Sequence, residues 1–243
     1  MLARIIWASG IAILALLTAQ LQIDRQSARE PRYVRLVMEP FRASAQFIMT
    51  ARALYRQETD TALAEARKLV ERRPVPAEHL TLLAGAYSQG GDIPPASLAV
   101  QYAAHRGWRD PIAQESRLRL ALEAGDKPEA ARRFVALLVA SSGDPALIIE
   151  LGEAIFGTLS PCAEAALVDL ISETDRWHPV FLRRGSAAIP AGAFARITAE
   201  SLARKTPFDC KLLGGAITQI ARRDAAADKR LARASDAQCV TPG

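Results

Sequence analysis

The chain has 243 residues, of which 50% are apolar and only 6% aromatic, and its 31 basic and 26 acidic side chains give a net charge of +5. This length allows one or two domains with a sizeable core, and the predominance of Ala and Leu over Val and Ile favours helices over strands. Because the basic residues are scattered among nearly as many acids and are not interleaved with stacking aromatics, the composition argues against a nucleic-acid-binding surface.

An uncharged apolar run occupies residues 5–23 and follows Arg4. As a helix it would be about 28 Å long, close to the thickness of the hydrocarbon core of a bilayer. The best signal-peptidase site follows Ala19, but Leu17 stands where a small residue is preferred. The sequence therefore favours an uncleaved membrane anchor over residues 1–23, and a cleaved signal peptide is the alternative.

Charge does not fix the orientation of this anchor, because arginines lie on both sides of it, Arg4 before it and Arg25, Arg29, Arg32 and Arg35 after it. The short leader makes a cytoplasmic N-terminus the default. We therefore expect a single-pass inner-membrane protein whose bulk is periplasmic, or a secreted or periplasmic protein if the signal is cleaved. Residues 24–42 are predicted to be a charged connector that becomes helical past Pro40.

One phrase occurs twice in the middle of the chain. Residues 91–100 read GDIPPASLAV and residues 125–134 read GDKPEAARRF, so Gly, Asp, Pro and Ala recur at the same places with a spacing of 34 residues. The period extends beyond the phrase, because Pro111, Pro145 and Pro179 are also 34 residues apart. A fixed period of this length is typical of helical repeat proteins, whose units bury their apolar faces against their neighbours.

The recurring residues fit a turn between two antiparallel helices. The glycines would take positive φ and end the first helix, the aspartates would cap the second helix, and a proline is tolerated in its first turn. Small residues would let the paired helices approach closely, and large ones would fill the gap to the next unit. These structural positions are Gly91, Asp92, Ala96 and Tyr87 in one unit and Gly125, Asp126, Ala130 and Phe134 in the next.

Two amphipathic helices in a 34-residue unit resemble the tetratricopeptide repeat. With Ala77 as the first place of one unit, the characteristic places of the family fall on Leu80, Ala84 and Tyr87, whereas Arg117 of the next unit stands where Leu is usual. The resemblance implies an all-α fold: an N-terminal transmembrane or signal helix, then a solenoid of antiparallel helix pairs. The predicted repeats cover residues 43–178 (about 43–76, 77–110, 111–144 and 145–178), and residues 179–243 would form a divergent repeat, cap and tail.

The resemblance also implies a binding surface. In this family the second, fifth, ninth and twelfth places of each first helix line a concave face. The candidate residues for this face are Glu78, Thr81 and Ser88 in one unit and Ile112, Glu115, Arg119 and Leu122 in the next. Their mixed character suggests a protein or peptide partner, and they lack the Lys/Arg clamp of the members that bind chaperone tails.

The sequence contains no pattern for catalysis, a metal or a cofactor. The three histidines, His79, His105 and His178, fall in different units and pair with no cysteine or carboxylate at metal-ligand spacing. Hydrolase, phosphate-loop and dinucleotide-binding motifs do not occur. We therefore expect a protein that is not an enzyme and that binds no cofactor.

The cysteines and two tryptophans are assigned structural roles. The odd number of cysteines and the lack of CxxC make zinc or thioredoxin-like chemistry improbable. A disulfide between Cys210 and Cys239 is the preferred pairing, and three free thiols are the alternative. Trp108 and Trp177 each stand shortly before a proline at a unit boundary, which favours packing at unit junctions over contact with a partner.

These observations lead to a function expected by analogy of layout. The chain is predicted to be a membrane-anchored scaffold or adaptor that mediates protein–protein interaction in the bacterial cell envelope. Two alternatives stay open. One is an accessory subunit or enzyme that handles envelope polysaccharide or lipid on a helical solenoid, and the other is a cytosolic regulator whose apolar N-terminus packs on its own repeats.

Overall fold

The computed structural model describes residues 2–140 and 144–239, and these residues form helices and turns without any β-strand. The all-α class predicted from composition is thereby confirmed. The end of the predicted unit 111–144 and the last four residues of the tail fall partly outside the described ranges. The chain divides into two compact units, Met1–Gly107 and Trp108–Gly243, which are described in turn.

The first unit consists of a long N-terminal helix and two helix pairs. Helix α1 (Leu2–Ser27) is followed by two short 3-10 turns, Pro31–Leu36 and Glu39–Phe41. Helix α2 packs on α3, α3 on α4 and α4 on α5, as expected for neighbours joined by short loops. Their bounds are α2 (Ser44–Tyr55), α3 (Thr59–Arg72), α4 (Ala77–Gln89) and α5 (Ile93–Arg106).

The second unit contains the remaining helices. They are α6 (Pro111–Glu123), α7 (Lys127–Ala140), α8 (Pro145–Phe156), α9 (Pro161–Glu173), α10 (His178–Val180), α11 (Ser186–Ala188), α12 (Ala191–Ala203), α13 (Cys210–Ala221) and α14 (Ala225–Cys239), with a 3-10 turn at Asp175–Trp177 and a π-helical turn at Phe181–Gly185. Helix α7 packs on α9, α9 on α12 and α12 on α14, while α8 packs on α11 and α11 on α13. The helices of this unit therefore form two rows.

The 34-residue period of the sequence is a period of helix pairs. Helices α4, α6 and α8 begin at residues 77, 111 and 145, and α3, α5, α7 and α9 begin at residues 59, 93, 127 and 161. Every first helix and every second helix in this stretch thus begins one period after the previous one. The repeated phrase marks the turn between α4 and α5 and the equivalent turn between α6 and α7.

These two turns use glycine in the left-handed region. The φ angle is +82° at Gly91 and +73° at Gly125, a conformation that costs an L-residue about 1–2 kcal/mol. A Cβ atom built at either position would meet no atom within 4 Å. The requirement for glycine at these turns therefore comes from the backbone conformation alone.

The two aspartates that follow these glycines behave differently. The Asp126 carboxylate caps α7 by accepting a hydrogen bond from the Glu129 N–H at 3.0 Å. The Asp92 side chain caps no amide of α5, contrary to the sequence expectation. The reason is chemical, because Pro94 and Pro95 stand where the capped amides of α5 would lie and proline has no N–H to donate.

Alanine lies at the line of contact inside the pairs, and aromatic residues reach neighbouring helices. Ala96 is 7% exposed and Ala130 fully buried. The Phe134 ring packs edge-on against Phe156 of α8 with centroids 5.9 Å apart. Tyr87 of α4 lies 5.7 Å from the Arg67 guanidinium of α3. The small and large positions of the repeat thus hold different kinds of contact.

Arg117, the residue that departs from the tetratricopeptide pattern, pairs with the second helix of its own unit. Its Nε lies 3.4 Å from Oε1 of Glu129, which also accepts a 2.8 Å contact from Arg133. Burial alone would raise the pKa of the Glu129 carboxyl, but its hydrogen bonds with Arg133 and Arg117 and their charges lower that pKa below its ordinary value. An ion pair therefore joins α6 to α7 where the family uses an apolar contact.

Helix α1 is long and apolar enough to cross a membrane, and none of its most apolar 18-residue stretch is buried within the protein. This confirms that the N-terminus can form a span, a property that anchors share with signal sequences. The first buried residue of α1 is Gln20. The helix continues through the beginning of the predicted connector and ends at Ser27.

The base of α1 is fastened to the first helix pair through a buried carboxylate. The Asp24 side chain is 4% exposed and accepts hydrogen bonds from the N–H groups of Ala43, Ser44 and Ala45 at 3.0, 3.0 and 2.9 Å. These amides are at the beginning of α2, which has no cap of its own because Ala43 lacks a polar side chain. Asp24 therefore caps α2 from another helix and favours the positive end of its dipole.

The last two helices are joined covalently. A disulfide links Cys210, at the beginning of α13, to Cys239, at the end of α14, with their Cα atoms 5.7 Å apart. Cys162 is a free, exposed thiol at the beginning of α9. The structure thus has the pairing preferred in the sequence analysis.

The two tryptophans contact each other although 69 residues separate them. The rings of Trp108 and Trp177 meet edge-on with centroids 5.6 Å apart, and the Arg176 guanidinium lies 4.8 Å from the Trp177 ring. Trp177 is 6% exposed. The contact fastens the segment before α6 to the segment before α10.

We predict that Gly125→Ala lowers the free energy of unfolding of the detergent-solubilised protein by about 1–2 kcal/mol, because alanine must adopt positive φ. The measurement is denaturant unfolding followed by far-UV circular dichroism. Gly214→Ala is the matched control, since Gly214 lies within α13 with open space around its Cα. It should instead stabilise the protein by about 1 kcal/mol. Equal effects of the two changes would contradict the assigned turn.

We predict that Glu129→Gln lowers the free energy of unfolding by about 1 kcal/mol at pH 7. The folded-state pKa of Glu129 is below its ordinary value of about 4.5, so its contribution is present above that value and lost as the pH falls through the folded-state pKa. The difference between wild type and variant, measured by unfolding at pH 7 and pH 3, should therefore shrink in acid. Glu123→Gln, at an exposed position of α6, should have little effect at either pH.

Candidate functional site

The predicted binding residues of the second unit lie along one side of α6. Ile112 and Arg119 are exposed, and Glu115 and Leu122 are half-buried. The exposed fraction of the Ile112 side chain is high, at 63%. These residues therefore leave apolar and charged groups available at the surface of α6.

The predicted residues of the first unit are less uniform. Glu78 and Ser88 of α4 are exposed, whereas Thr81 is buried and its hydroxyl donates to the Ala77 carbonyl at 3.3 Å. Gly85, on the same side of α4, faces the Leu54 side chain of α2. Only the two ends of this side of α4 are accessible, so the second unit offers the stronger candidate.

One step of the repeat period extends the α6 surface onto α8. The residues 34 places after Ile112, Glu115 and Arg119 are Ala146, Ile149 and Glu153. All three line one open hollow of about 650 Å³, together with Glu150 and Ala154. The sequence could have identified these residues by continuing the period, because equivalent helices present equivalent faces.

A second step of the period reaches the helical segment after α9. The residues 34 places after Ile149 and Glu153 are Arg183 and Ala187. Both line a smaller hollow of about 180 Å³, which Ile149 also lines. Ile149 is 49% exposed and therefore stands between the two hollows. We call the combined surface the first-helix face: Ile112, Glu115, Arg119, Ala146, Ile149, Glu150, Glu153, Arg183 and Ala187.

Charged groups of both signs alternate along the first-helix face. Arg119 Nε lies 2.9 Å from Oε1 of Glu115 on α6, and its Nη1 lies 3.7 Å from Oε1 of Glu150 on α8. The hydrogen bond with Glu115 raises the pKa of Arg119 against a smaller opposing effect of burial. Arg119 thus stays cationic and connects two consecutive first helices. At the far end, Arg184 Nη1 donates to the Leu138 carbonyl at 2.6 Å.

The opposite row of the second unit has a hollow that the sequence analysis did not anticipate. It measures about 490 Å³ and is lined by residues of α9, α12 and α14, among them Arg230. Its other main charges bind one another: Arg196 grips Glu164 through two contacts of 2.9 and 2.6 Å, and Arg204 lies 2.6 Å from Asp169. These pairs stabilise the row and leave few charged groups for a ligand. No local sequence signal brings such distant residues together.

The histidines have structural partners. His79 and His178 are buried, and their rings lie 2.8 and 2.9 Å from the carbonyl oxygens of Arg73 and Ile171. His105 is exposed at the end of α5. Within residues 2–140 and 144–239, no group of three His, Cys, Asp or Glu side chains is arranged to hold a metal ion. The first-helix face is therefore the candidate site, and its chemistry is that of recognition.

Comparison with known proteins adds no family to this description. No known protein-family model matches the chain, and no curated protein sequence matches it significantly. The likeness to tetratricopeptide repeats thus rests on the 34-residue period and on the helix pairs that follow it. A function has to be argued from the first-helix face and from α1.

Proposed function

We propose that this protein is a membrane-anchored adaptor of the bacterial cell envelope whose tetratricopeptide-like helix pairs bind a segment of another protein. The observation that carries the proposal is the first-helix face. Residues one repeat period apart on α6, α8 and the segment after α9 present exposed groups on consecutive first helices and line two hollows. A surface that repeats with the helices suits an elongated ligand, since each unit can contact successive side chains of it.

The chemistry of the face favours a polypeptide over a small substrate. Exposed large apolar side chains, Ile112 and Ile149, alternate with the charged groups Glu115, Arg119 and Glu150. The hollow beside Ile149 holds about 180 Å³, less than the roughly 300–1,000 Å³ of ordinary small-molecule sites. A segment with apolar side chains for the hollows and charged groups between them would complement this face.

The proposed location outside the cytoplasm rests on two features. Helix α1 has the length and apolarity of a membrane span, and the disulfide between Cys210 and Cys239 is of a kind that persists in oxidising compartments such as the periplasm. A cytosolic regulator would hold these thiols reduced. We therefore propose that α1 anchors the chain and that the helix pairs face the periplasm.

The exposed thiol of Cys162 tests this topology without an engineered cysteine. We expect a membrane-impermeant maleimide to label the full-length protein in intact spheroplasts, because α9 would lie outside the cytoplasm. The readout is the mass of the purified protein, and Cys162→Ser is the control for specific labelling. Labelling that requires lysis would contradict the proposed topology.

The first-helix face is tested by charge reversal at Arg119. A photo-reactive amino acid at Ile149 should crosslink the full-length protein to a discrete partner in cells. Arg119→Glu in the same chain should reduce that product by about fivefold or more, because it places like charges beside Glu115 and Glu150. The measurement is crosslink yield by immunoblot and mass spectrometry.

Arg132→Glu is the matched control for this experiment. Arg132 is an exposed arginine of α7 that also pairs with a glutamate of its own helix, Glu129, at 3.6 Å. It should leave the yield unchanged, since it lies on the other helix of the pair. Equal yields for the two variants, with circular dichroism showing that both remain folded, would place the binding site elsewhere.

A further inference from the structure

The chain returns towards the apolar part of α1 immediately after that helix ends. The backbone N–H of Met38 donates to Gln20 Oε1 at 2.9 Å, and Val34 and Val37 are buried in a cluster against which Ile23 packs. Met38 therefore lies at the level of Gln20. The side chains of residues 2–19 of α1, on the other side of that level, are all exposed.

Large apolar side chains are exposed at this level on two segments. On α1, Leu17 is 38% and Leu21 55% exposed, and on the returning chain Leu36 is 59% and Met38 44% exposed. If α1 spans a bilayer, its apolar stretch ends at this level, within one helical turn of Gln20. The exposed Leu36 and Met38 then widen the apolar surface where the helix leaves the hydrocarbon core.

Arginines lie directly beyond this apolar surface. Arg25, Arg29 and Arg35 are exposed, and none of them has an ion-pair partner in the part of the chain that the structure describes. The nearby Arg32 instead lies 2.5 Å from Glu30. Apolar side chains next to uncompensated arginines are the pattern of segments that lie in the headgroup region of anionic membranes.

We propose that Leu36 and Met38, with Arg25, Arg29 and Arg35, form an interfacial collar that binds the surface of an anionic bilayer around the base of α1. The apolar side chains enter the boundary between headgroups and acyl chains, and the arginines contact lipid phosphates. This inference rests on the membrane anchoring proposed above. The collar also has a mechanical consequence: because Asp24 caps α2, a membrane-bound collar fixes the direction in which the first helix pair leaves the bilayer.

Depth-dependent fluorescence quenching tests the collar in the full-length protein. Cys162→Ser removes the free thiol, and single cysteines at Leu14, Leu36 or Tyr55 are labelled with an environment-sensitive dye after reconstitution into vesicles containing phosphatidylglycerol. We expect lipids with a quencher near the headgroup to reduce emission at residue 36 by about half, since interfacial groups lie about 5–10 Å into the boundary. Tyr55 is 90% exposed and should be quenched only by aqueous iodide.

The three sites separate the possible outcomes. Quenching at residue 14 by deep quenchers shows that α1 is inserted, so the failure of that signal would overturn the anchor itself. Quenching at residue 14 but only by iodide at residue 36 would leave the anchor intact and overturn the collar. Lipid quenching at both, with none at residue 55, is the expected result.

The electrostatic part of the collar has its own test. In vesicles of phosphatidylcholine alone, we expect the lipid quenching at residue 36 to fall by about half, because each basic residue near an anionic surface gains roughly a factor of five in binding. Arg25→Glu with Arg35→Glu should remove this dependence on phosphatidylglycerol. If residue 36 is quenched equally in both lipids with the arginines present, the proposed contact with anionic headgroups is wrong.

Discussion

The close approach of two helices inside each pair depends on alanine at the line of contact. Ala84, Ala96, Ala103 and Ala130 are each 7% exposed or less, and a larger side chain at such a contact would force the helices apart. Because each pair is thin, it cannot bury its apolar surface alone, and larger residues such as Phe134 must pack against the following helix. The helices after it can then follow at a constant interval. The rest of the described architecture depends on this spacing.

A constant interval between helix pairs also determines which side chains share a surface. Residues one period apart occupy equivalent places on consecutive first helices, which is why Ala146 and Ile149 of α8 lie together in one hollow and Ile149 meets Arg183 in the next. The ion pair between Arg119 and Glu150 crosses from one first helix to the next. A partner that binds along such a surface meets a different set of side chains at each helix, so its specificity can be encoded in the variable places while the turns and contacts keep the helices in position.

The N-terminal helix is part of the folded first unit and does not act as a loose tether. Asp24 caps α2 across 19–21 residues, and Gln20 holds the returning chain through the Met38 N–H. A flexible linker would let the repeats sample many orientations relative to a membrane. The capped junction instead couples α2 to α1, so that the orientation of the anchor determines the orientation of the first helix pair. Both this coupling and the proposed collar use the segment that the sequence presents only as a charged connector.

The sequence by itself determined the features that are local or periodic. The alanine and leucine bias indicated helices, residues 5–23 indicated a span, and the recurrence of Gly91 at Gly125 indicated a turn, because each depends on local conformation or on composition. Even the missing cap at Asp92 was readable in advance from Pro94 and Pro95. The tertiary structure alone decided that Thr81 is buried, that Arg117 pairs with Glu129, that Trp108 meets Trp177 and that Asp24 caps α2. These contacts join residues 12 to 69 positions apart or depend on what covers a helix, and the distance between two side chains in space is fixed by how helices pack, which no local propensity specifies.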